Sequence, residues 1–460
     1  MRFRNLRRAA LALLLVTTTP AMVHAQPTTG AWWQAFHDPQ LDETVRRALS
    51  GNLDLVAAAA RVDQARAMAK GARAALLPSL DATGAAEADR QSLHSPIGAA
   101  SRQLGLPRNY ELYQAGVEAR WEIDLFGGLS ARRKAAAANA AATLAEMDAM
   151  HLAIAAETAD AYLHLRGLQE RLALAQQQAR LRGDLAALVR QRANQGLASD
   201  FDANRAEAAH AATLATLPPL RQAIEVDIDR LGVLTGGSDR AWLERLRETA
   251  AIPAPLDPAL DADPATLMRR RPDLAAAERR VDAARAGIRV ARAEYYPHLS
   301  LGGLVGLVTL GGASFGSGDS VAASGGATLR WRLFDFGRLD AELAAARGHE
   351  REVLALWRQA AQVASAEVAD AVAALAEGRR EQDELARQVS LLRRARDQAR
   401  EAYAQGTVAL IDVLDADRNL LEATDRLAQN REALARASVA AVRAMGGGYG
   451  PGEQEVDHHG

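Results

Sequence analysis

Two long stretches without proline constrain this fold more than any other feature of the sequence. No proline occurs between Pro107 and Pro218, or between Pro297 and Pro451, so nothing there must break a helix. Apolar residues recur within both stretches at helical spacing, and alanine fills many of the positions between them. We therefore predict two helices, Ser130 to Gln195 and Leu339 to Gln405, each roughly 100 Å long. A solvated coiled-coil rod is the simplest alternative, and the flanking segments decide between the two.

The composition excludes several classes of protein. The 460 residues carry a formal net charge of −2 with both signs mixed throughout, which argues against nucleic acid as a partner. Cysteine is absent from the sequence, so there can be no disulfide, thiolate metal site or cysteine nucleophile. We find no catalytic signature, and carboxylate pairs such as Glu157/Asp160 and Glu367/Asp370 are interpreted as a solvated helix face. We expect no enzyme activity, cofactor or metal site.

The first 25 residues have the three parts of a secretory signal. Four arginines precede the apolar run Ala9 to Val16, and Val23-His24-Ala25 forms a small-residue cleavage site. We predict cleavage after Ala25, and a lipidated N-terminal cysteine is not expected because no cysteine follows. No later stretch is long and apolar enough to be a membrane helix, so any membrane insertion must use strands.

The chain is internally duplicated. Asp54 aligns with Asp273 at an offset of 219 (273 − 54), and Trp121 aligns with Trp331 at an offset of 210 (331 − 121). Many identities share each offset, which indicates two copies of one unit. Each copy is predicted to contain a helix, two strands, a long helix and a return helix, the first helices being Leu41 to Leu77 and Ala265 to Tyr296. The predicted organisation is a signal peptide (1–25), an N-terminal segment (26–51), repeat 1 (52–237), a linker (238–264), repeat 2 (265–447) and a polar tail (448–460).

One difference between the copies concerns the return helix. Pro218-Pro219 should kink or split this helix in repeat 1, because proline removes a backbone donor and clashes with the preceding turn. Ala428-Gln429 occupies the equivalent place in repeat 2 and imposes no break.

Four segments with strand periodicity lie between the helices. The predicted strands are Leu80 to Ala88, Val117 to Leu125, Leu299 to Leu310 and Leu329 to Leu333. The first three have about the 9–11 residues that a tilted membrane strand needs, with apolar side chains on one face, although an ordinary soluble sheet would show the same alternation. Loops Arg90 to Tyr110 and Gly311 to Gly326 would then face outside. The aromatic residues expected at the membrane interface are Trp121, Trp331, Tyr295 and Tyr296.

Four strands cannot close a barrel. About eight strands are needed for even the smallest barrel, and an open edge in lipid leaves backbone groups unpaired. The chain must therefore pool its strands with copies of itself. A dimer would provide eight strands and a trimer twelve, and these considerations alone do not distinguish a dimer from a trimer.

This architecture resembles the outer membrane efflux protein family, the TolC-like outer membrane factors. The resemblance covers essentially the whole mature chain, and Trp33 to Leu55 together with Arg271-Pro272-Asp273-Leu274 resemble the OprM/NodT-type subgroup of resistance-nodulation-division systems. It implies a mainly α fold with membrane β: a homotrimer with a 12-stranded β-barrel above a periplasmic helical tunnel and a mixed equatorial region. It also implies an outer membrane efflux channel of a Gram-negative bacterium, passive in itself, that works with a periplasmic adaptor (membrane fusion) protein and an inner-membrane pump.

The resemblance assigns roles to residues near the turns between the long and return helices. Asp412 and Asp415, which are three apart on one helical face, match aspartates that ring the closed periplasmic mouth. Tyr403 and Asp202 match positions whose hydrogen bonds between coils hold that mouth shut. Val408 stands where some relatives carry a basic residue, so this closing network is expected to be altered. Without the resemblance, the two aspartates would be interpreted as ordinary capping and solvated residues of a helix start.

The two turns themselves are expected to dock the adaptor. Each contains a glycine suited to a helix end, where a positive φ is needed before the chain reverses. The predicted docking residues are Gly196, Leu197, Ala198, Gly406, Thr407 and Val408. Two other functions remain open from the sequence. A type I protein secretion duct would share the fold, and a periplasmic coiled-coil adaptor or scaffold would share the long hairpins but not the paired strands.

Overall fold

The computed structural model describes residues 31–105, 107–237, 239–257 and 270–447. The predicted signal peptide, the polar tail and part of the predicted linker lie outside the described residues. A short 3-10 helix, Trp32–Phe36, comes first. The helices that follow are α1 Pro39–Gly51, α2 Leu53–Ala74, α3 Pro96–Gln103, α4 Gly128–Asn194, α5 Asp200–Leu214, α6 Leu217–Leu234, α7 Arg240–Arg245, α8 Pro272–Ala293, α9 Arg338–Ala404 and α10 Leu410–Ala444.

The two long helices are present as predicted. Helices α4 and α9 each contain 67 residues, and each follows a glycine with positive φ, Gly127 at 76° and Gly337 at 85°. The first turn of α4 is stabilised by Asp124, whose carboxylate accepts the backbone N–H groups of Leu129 and Ser130 at 3.0 and 2.8 Å. Asp335 accepts the N–H of Leu339 at 2.8 Å at the start of α9. The same local chemistry therefore starts both helices.

The prediction of one continuous helix from Leu41 to Leu77 is wrong, because the segment forms two helices, α1 and α2. It is interrupted at Asn52, which adopts an extended conformation and caps α2 by accepting the N–H of Asp54 at 2.9 Å. The amide of Asn52 also donates to the carbonyl oxygen of Leu234 at 3.0 Å, which ties the break to α6. The predicted helix Ala265 to Tyr296 is also too long, because α8 starts at Pro272 and ends at Ala293. The first residues of that prediction, 265–269, lie outside the described residues.

The strands form one antiparallel sheet in the order β1-β2-β3-β4. Their bounds are β1 Ser79–Arg90, β2 Asn109–Ile123, β3 His298–Leu310 and β4 Val321–Arg330. The predicted strand Leu329 to Leu333 is misplaced, since β4 lies mostly before it and ends at Arg330. The loops between paired strands are accordingly shorter than predicted, and the first of them contains α3.

Each long helix is the first arm of a helical hairpin: α4 is followed by α5 and α6, and α9 is followed by α10. The return helix of the first hairpin is split into α5 and α6, with Leu217 and the two prolines at the start of α6, whereas α10 is continuous over 35 residues. The effect predicted for Pro218-Pro219 is therefore confirmed.

The largest hydrophobic core lies midway along the helices, where α1, α4, α6 and the segment around Trp242 meet. Trp33 and Phe36 pack into it from the N-terminal segment. Arg166 of α4 is fully buried there and donates to the carbonyl oxygen of Glu248 at 2.7 Å, while its guanidinium lies over the Tyr162 ring. The N-terminal segment and the linker are thus fixed to the long helix at its middle. None of the helices that the structure describes is long and apolar enough to cross a membrane.

Three of the four carboxylates interpreted as a solvated helix face are ion-paired, while Asp370 is exposed as predicted. Asp160 accepts two hydrogen bonds from Arg436 of α10, at 2.7 and 3.0 Å. Glu157 pairs with Arg230 at 3.0 Å, and Glu367 of α9 accepts from Arg271 at 2.6 Å. These pairs join helices that are far apart in sequence, which is why helical periodicity did not reveal them.

Candidate functional site

The two turns that join long to return helices are built by the same hydrogen-bonding pattern. In the first, Gly196 has φ 73° and donates to the carbonyl of Ala193 at 2.9 Å, while Leu197 donates to Arg192 at 2.8 Å. In the second, Gly406 has φ 75°. Its N–H donates to the carbonyl of Tyr403 at 3.0 Å, and that of Thr407 donates to the carbonyl of Ala402 at 2.9 Å. Both are Schellman motifs, whose left-handed residue favours glycine because a side chain would be strained there.

Asp202 and Asp412 occupy equivalent positions in the two return helices. Asp202 lies in the first turn of α5, where Ser199 caps the helix: the hydroxyl of Ser199 accepts the N–H of Asp202 at 3.1 Å and donates to the carboxylate of Asp202 at 2.8 Å. The carboxylate of Asp412 accepts the N–H of Ala409 at 3.0 Å at the start of α10. Both aspartates therefore stabilise helix starts, as a carboxylate near a helix N-terminus does.

Asp415 lies one turn further along α10. It is exposed and lies 3.7 Å from Arg418, a surface ion pair of small energetic value. Asp412 is exposed as well, so two carboxylates are present at the start of α10 without a buried partner. Their role in ringing a closed periplasmic mouth, which the family resemblance implies, stays a prediction.

Tyr403 lies between the two hairpins. Its ring packs in an apolar cluster with Val189, Ala203 and Leu410, and the guanidinium of Arg192 lies 5.5 Å from the ring centroid. Among the described contacts within this chain, the partner of Asp202 is Ser199, and Tyr403 contacts Arg192 instead. The hydrogen bonds predicted for Tyr403 and Asp202 between coils would form in an assembly of several copies, and they stay a prediction.

The two turns differ in exposed surface. Leu197 is 73% exposed and Phe201 is 68% exposed, so the first turn presents large apolar side chains to solvent. Ala198 and Val408 are half-buried, and Thr407 is exposed with its hydroxyl donating to the carbonyl of Ala402 at 3.0 Å. The residues predicted to dock the adaptor therefore form one apolar and one more polar turn at the same end of the molecule.

An ion pair with a buried carboxylate, just behind the turns, was missed by sequence reasoning. Asp417 of α10 is 1% exposed and accepts two hydrogen bonds from Arg400 of α9, at 3.2 and 3.0 Å. Arg182 of α4 is buried beside this pair and donates to the hydroxyl of Thr213 at 2.8 Å. Burial lowers the pKa of Arg182, and Asp417 opposes that shift. Charged side chains thus connect the two hairpins just behind the turns. This contact was not predicted, because a single sequence does not show which distant charges lie close together.

The four predicted interface aromatics lie at the other end of the long helices, where the sheet meets them. Trp121 donates its indole N–H to the carbonyl of Leu76 at 3.0 Å, and Trp331 donates to the carbonyl of Tyr295 at 3.1 Å. These two bonds are equivalent under the internal duplication. The hydroxyl of Tyr295 donates to Asp340 at 2.6 Å, and Tyr296 stacks on Phe126 at 4.7 Å between ring centroids. The position of these four aromatic residues at a membrane interface stays a prediction.

Comparisons with known proteins agree with this architecture. The sequence model described as outer membrane efflux protein matches residues 44–237 and matches again over residues 264–447. The chain is 33% identical to a pyoverdine export outer membrane protein, OpmQ, of Pseudomonas putida, over 91% of this chain and 88% of that protein. It is 32% identical to the outer membrane protein OprJ of Pseudomonas aeruginosa, over 93% and 88%.

Solved structures show the same fold. The outer-membrane channel OprN superposes with a TM-score of 0.84 at 32% identity, covering 91% of this chain and 92% of that chain. The VceC outer membrane protein of Vibrio cholerae superposes with a TM-score of 0.84 at 24% identity, covering 92% of this chain and 100% of that chain. The predicted fold class, long duplicated helices with four membrane strands per chain in a TolC-like channel, is therefore confirmed. The chain belongs to the outer membrane efflux protein family and is an outer membrane channel for efflux.

Proposed function

We propose that this channel works as a homotrimer, the exit duct of a tripartite pump in the outer membrane of a Gram-negative bacterium. The observation that carries the proposal is an unequal packing of two equivalent helices. Helix α8 packs against both α4 and α9, whereas its equivalent α2 packs closely against α4 only, within the described part of the chain. The internal duplication therefore leaves one helix contact unmade in a single chain.

A second copy of the chain supplies that contact. Helix α2 exposes Leu53, Val56 and Met68, each at least 60% exposed, and α9 exposes Leu356 and Val363. Burial of such apolar side chains stabilises an interface by about 25 cal/mol for each Å² removed from water. Packing α2 of one copy on α9 of the next is a head-to-tail contact, and such contacts generate closed rings when the rotation closes. Three copies give twelve strands, the number that the family resemblance implies.

The two turns are proposed to dock the adaptor. Leu197 and Phe201 form an exposed apolar surface at the hairpin end, and such surfaces on soluble segments mark protein contacts. The partner is a periplasmic adaptor (membrane fusion) protein, and through it an inner-membrane resistance-nodulation-division pump. Asp412 and Asp415, with Tyr403 and Asp202, are proposed to form the gate at this end.

Transport through the duct is proposed to be passive and without catalysis, with energy supplied by the inner-membrane partner. The relatives reported above include a pyoverdine export protein, which supports small molecules as cargo and efflux over protein secretion. The mature chain is proposed to start at Gln26 after removal of the signal peptide and to lack a lipidated cysteine. The sheet would contact outer membrane lipid, with Trp121, Trp331, Tyr295 and Tyr296 at its inner edge.

The oligomeric state tests the proposal most directly. Native mass spectrometry of the detergent-extracted protein should give three times the mass of a chain that begins at Gln26. A monomer that stays soluble without detergent would refute the membrane assembly.

Adaptor docking has its own test, for which the absence of native cysteine is convenient. Ala198→Cys and Val408→Cys should each crosslink to the adaptor in cells, while Ser314→Cys in the loop between β3 and β4 should not. Crosslinking from Ser314→Cys alone would contradict the assignment of the turns.

A further inference from the structure

We infer that the loop between β1 and β2 binds the phosphate groups of lipid A, the phosphorylated lipid of the outer leaflet, through arginines and an apolar helix side. This outer loop comprises residues 91–108, and Arg90 of β1 lies at its base. The inference rests on the proposed position of the sheet in the outer membrane. It goes beyond that proposal by naming the lipid that the outer end of the sheet binds.

The outer loop lies at the end of the sheet that is remote from the long helices. Strand β1 begins at Ser79, soon after α2, and β2 ends at Ile123, just before α4. Ser79 pairs with Arg120 at the helical end of the sheet, and Arg90 pairs with Asn109 at the opposite end. With the long helices in the periplasm, as proposed, the outer loop is at the outer surface of the membrane.

The charged residues at this end of β1 are basic. The outer loop and Arg90 together contain three arginines, the other two being Arg102 and Arg108, and no aspartate or glutamate. All three arginines are exposed. Arg102 donates to the carbonyl oxygen of Leu93 at 2.7 Å and Arg108 to that of Gln91 at 3.1 Å, so both bond to the backbone rather than to a carboxylate. An anionic lipid surface attracts such a cluster of arginines.

Arg90 lies on the face of β1 that is predicted to contact lipid. Side chains alternate along a strand, so Arg90 shares a face with Ala82, which lies opposite Val117 of β2. The acidic residues of β1 lie on the other face: Asp81, Glu87 and Asp89. Glu111 of β2 is on the lipid face, and its carboxylate accepts the hydroxyl of Tyr113 at 3.0 Å. The guanidinium of Arg90 can therefore extend to lipid headgroups while its stem stays against apolar surface.

Helix α3, which contains Arg102, has an exposed apolar side. Ile97, Ala100 and Leu104 follow one another at helical spacing on one face, and all three are exposed, Ile97 at 70% and Leu104 at 73%. The opposite face packs on the loop at Gly98, where an added Cβ atom would clash with the backbone oxygen of Ser92. Exposed apolar residues beside arginines are typical of segments that bind anionic lipid surfaces. The phosphates of lipid A lie next to its acyl chains, so one lipid can contact both groups.

The internal duplication indicates that the strand hairpin does not require these features. The equivalent loop between β3 and β4 spans residues 311–320, and its one charged residue is Asp319. It forms short 3-10 turns where the outer loop has α3. Its large apolar residue, Phe315, packs on Tyr113 of β2 at 6.4 Å between ring centroids. The basic cluster and the exposed apolar helix side thus belong to one copy of the hairpin, which favours a binding role over a structural one.

A spin label tests where the outer loop lies, since the chain has no cysteine of its own. A nitroxide on Ile97→Cys, in trimers placed in nanodiscs of phosphatidylethanolamine and lipid A, should be more accessible to oxygen than to a neutral nickel chelate. Oxygen concentrates among acyl chains, whereas the chelate stays in water. Ser314→Cys in the loop between β3 and β4 is the control and should show the reverse. Greater access of the chelate to Ile97→Cys would mean that α3 lies in water or over the channel mouth, and would overturn the inference.

Recognition of phosphate is tested by native mass spectrometry of the trimer with added lipid A. Arg90→Gln combined with Arg102→Gln and Arg108→Gln should weaken binding at least about tenfold, whereas the three lysine substitutions, which keep the charge, should weaken it by less than about threefold. The parent protein should show the same tenfold loss with dephosphorylated lipid A, a comparison that needs no variant to fold. Equal binding of both lipids by a parent of trimeric native mass overturns the inference, as does equal binding of lipid A by parent and glutamine variant. A monomeric native mass would instead refute the proposed function.

Discussion

Gly167 of α4 and Glu432 of α10 are in direct contact where the two helices cross. A Cβ atom added to Gly167 would lie only 2.6 Å from Cδ of Glu432. Glu432 is 7% exposed and is held in place by Arg436, which donates to it at 3.2 Å, and by His164, whose Nε2 lies 3.7 Å away. The absence of a side chain at one position therefore permits a buried carboxylate at the other, and the two halves of the chain meet there.

Gly167→Ala should destabilise the protein by about 1–3 kcal/mol, since the buried Glu432 cannot move aside without losing its partners. Gly348→Ala is the matched control, because it also lies in a long helix and nothing lies within 4 Å of its added Cβ. There the substitution should stabilise by about 0.5–1 kcal/mol through the helix preference of alanine. Thermal unfolding in detergent measures both. Equal stabilisation by the two variants would mean that the helix crossing can accommodate a methyl group at Gly167.

His164 should make the same crossing dependent on pH. Its Nδ1 lies 2.5 Å from Asp227, and this hydrogen bond raises the pKa of His164 above its ordinary 6.5, with desolvation acting against it and Glu432 and Arg436 contributing opposite charge effects. Burial also raises the pKa of Glu432. Both groups bind protons more tightly when folded, so the stabilisation from His164 is fully present below about pH 6.5 and is lost as pH rises through the higher folded pKa. The melting temperature should therefore fall from pH 6 to pH 8.

His164→Gln should weaken that dependence, while His349→Gln, at an exposed histidine of α9, should leave it unchanged. A wild-type protein whose melting temperature rises between pH 6 and pH 8 would show that other groups dominate this range.

The long elements of this fold could be predicted from sequence because local rules determine them. The absence of proline and the helical spacing of apolar residues located α4 and α9 to within two residues at each end. The effect of Pro218-Pro219 was also predictable, since proline acts on its own turn. The duplication then gave the order of the remaining elements. These features depend on residues near one another in the chain.

The failures come from contacts between distant residues. Helix propensity continues through Asn52, but its amide bonds to Leu234 and the helix breaks there. The alternation of Arg330-Trp331-Arg332-Leu333 is typical of a strand, yet Trp331 donates to Tyr295 and Arg332 pairs with Glu294 at 2.9 Å, beyond the end of β4. At the candidate gate, the sequence located the turns and the aspartates of the helix starts. It could not reveal that the buried carboxylate of Asp417 pairs with Arg400 behind them.

The two faces of β2 should tolerate charge differently. Ala119 and Glu118 are neighbours in the strand, so their side chains point to opposite faces of the sheet. We predict that Val117, Ala119, Trp121 and Ile123 face lipid, and that Glu118, Arg120 and Glu122 face the lumen. Asp124 and Leu125 continue the alternation in sequence but lie beyond the end of β2, where Asp124 stabilises the start of α4. Ala119→Arg should destabilise the protein more than Glu118→Arg, because an arginine on the lipid side costs about 2–4 kcal/mol at the bilayer midplane and less toward the interface, near which Trp121 is proposed to lie. The yield of heat-stable trimer compares them, and equal yields would mean that the faces are assigned wrongly.

Tyr403 should narrow the channel through the packing of its ring. The ring lies in the apolar cluster with Val189 and Leu410, and Arg192 lies over it. Tyr403→Ala should therefore loosen the contact between the two hairpins and raise single-channel conductance in planar bilayers. Tyr403→Phe keeps the ring, so it should raise conductance only if the hydroxyl bonds to a neighbouring copy. Unchanged conductance in Tyr403→Ala would place the constriction elsewhere.

The last prediction concerns Asp412 and Asp415. In a trimer in which both point inward, each would set three carboxylates around the axis, and each pair would repel by roughly 3 kcal/mol at about 6 Å and an effective dielectric of about 20. Bound cations relieve that repulsion, so the channel should prefer cations and should be blocked by a trivalent cation such as hexaamminecobalt. Asp412→Asn with Asp415→Asn should abolish the block, because asparagine removes the charge while its amide oxygen can still accept the N–H of Ala409 that caps α10. Glu422→Gln, an exposed carboxylate of the same helix paired with Arg418, is the control and should keep the block. If the double asparagine variant is blocked as strongly as the parent, the two aspartates serve only as residues of a helix start and the cation site lies elsewhere.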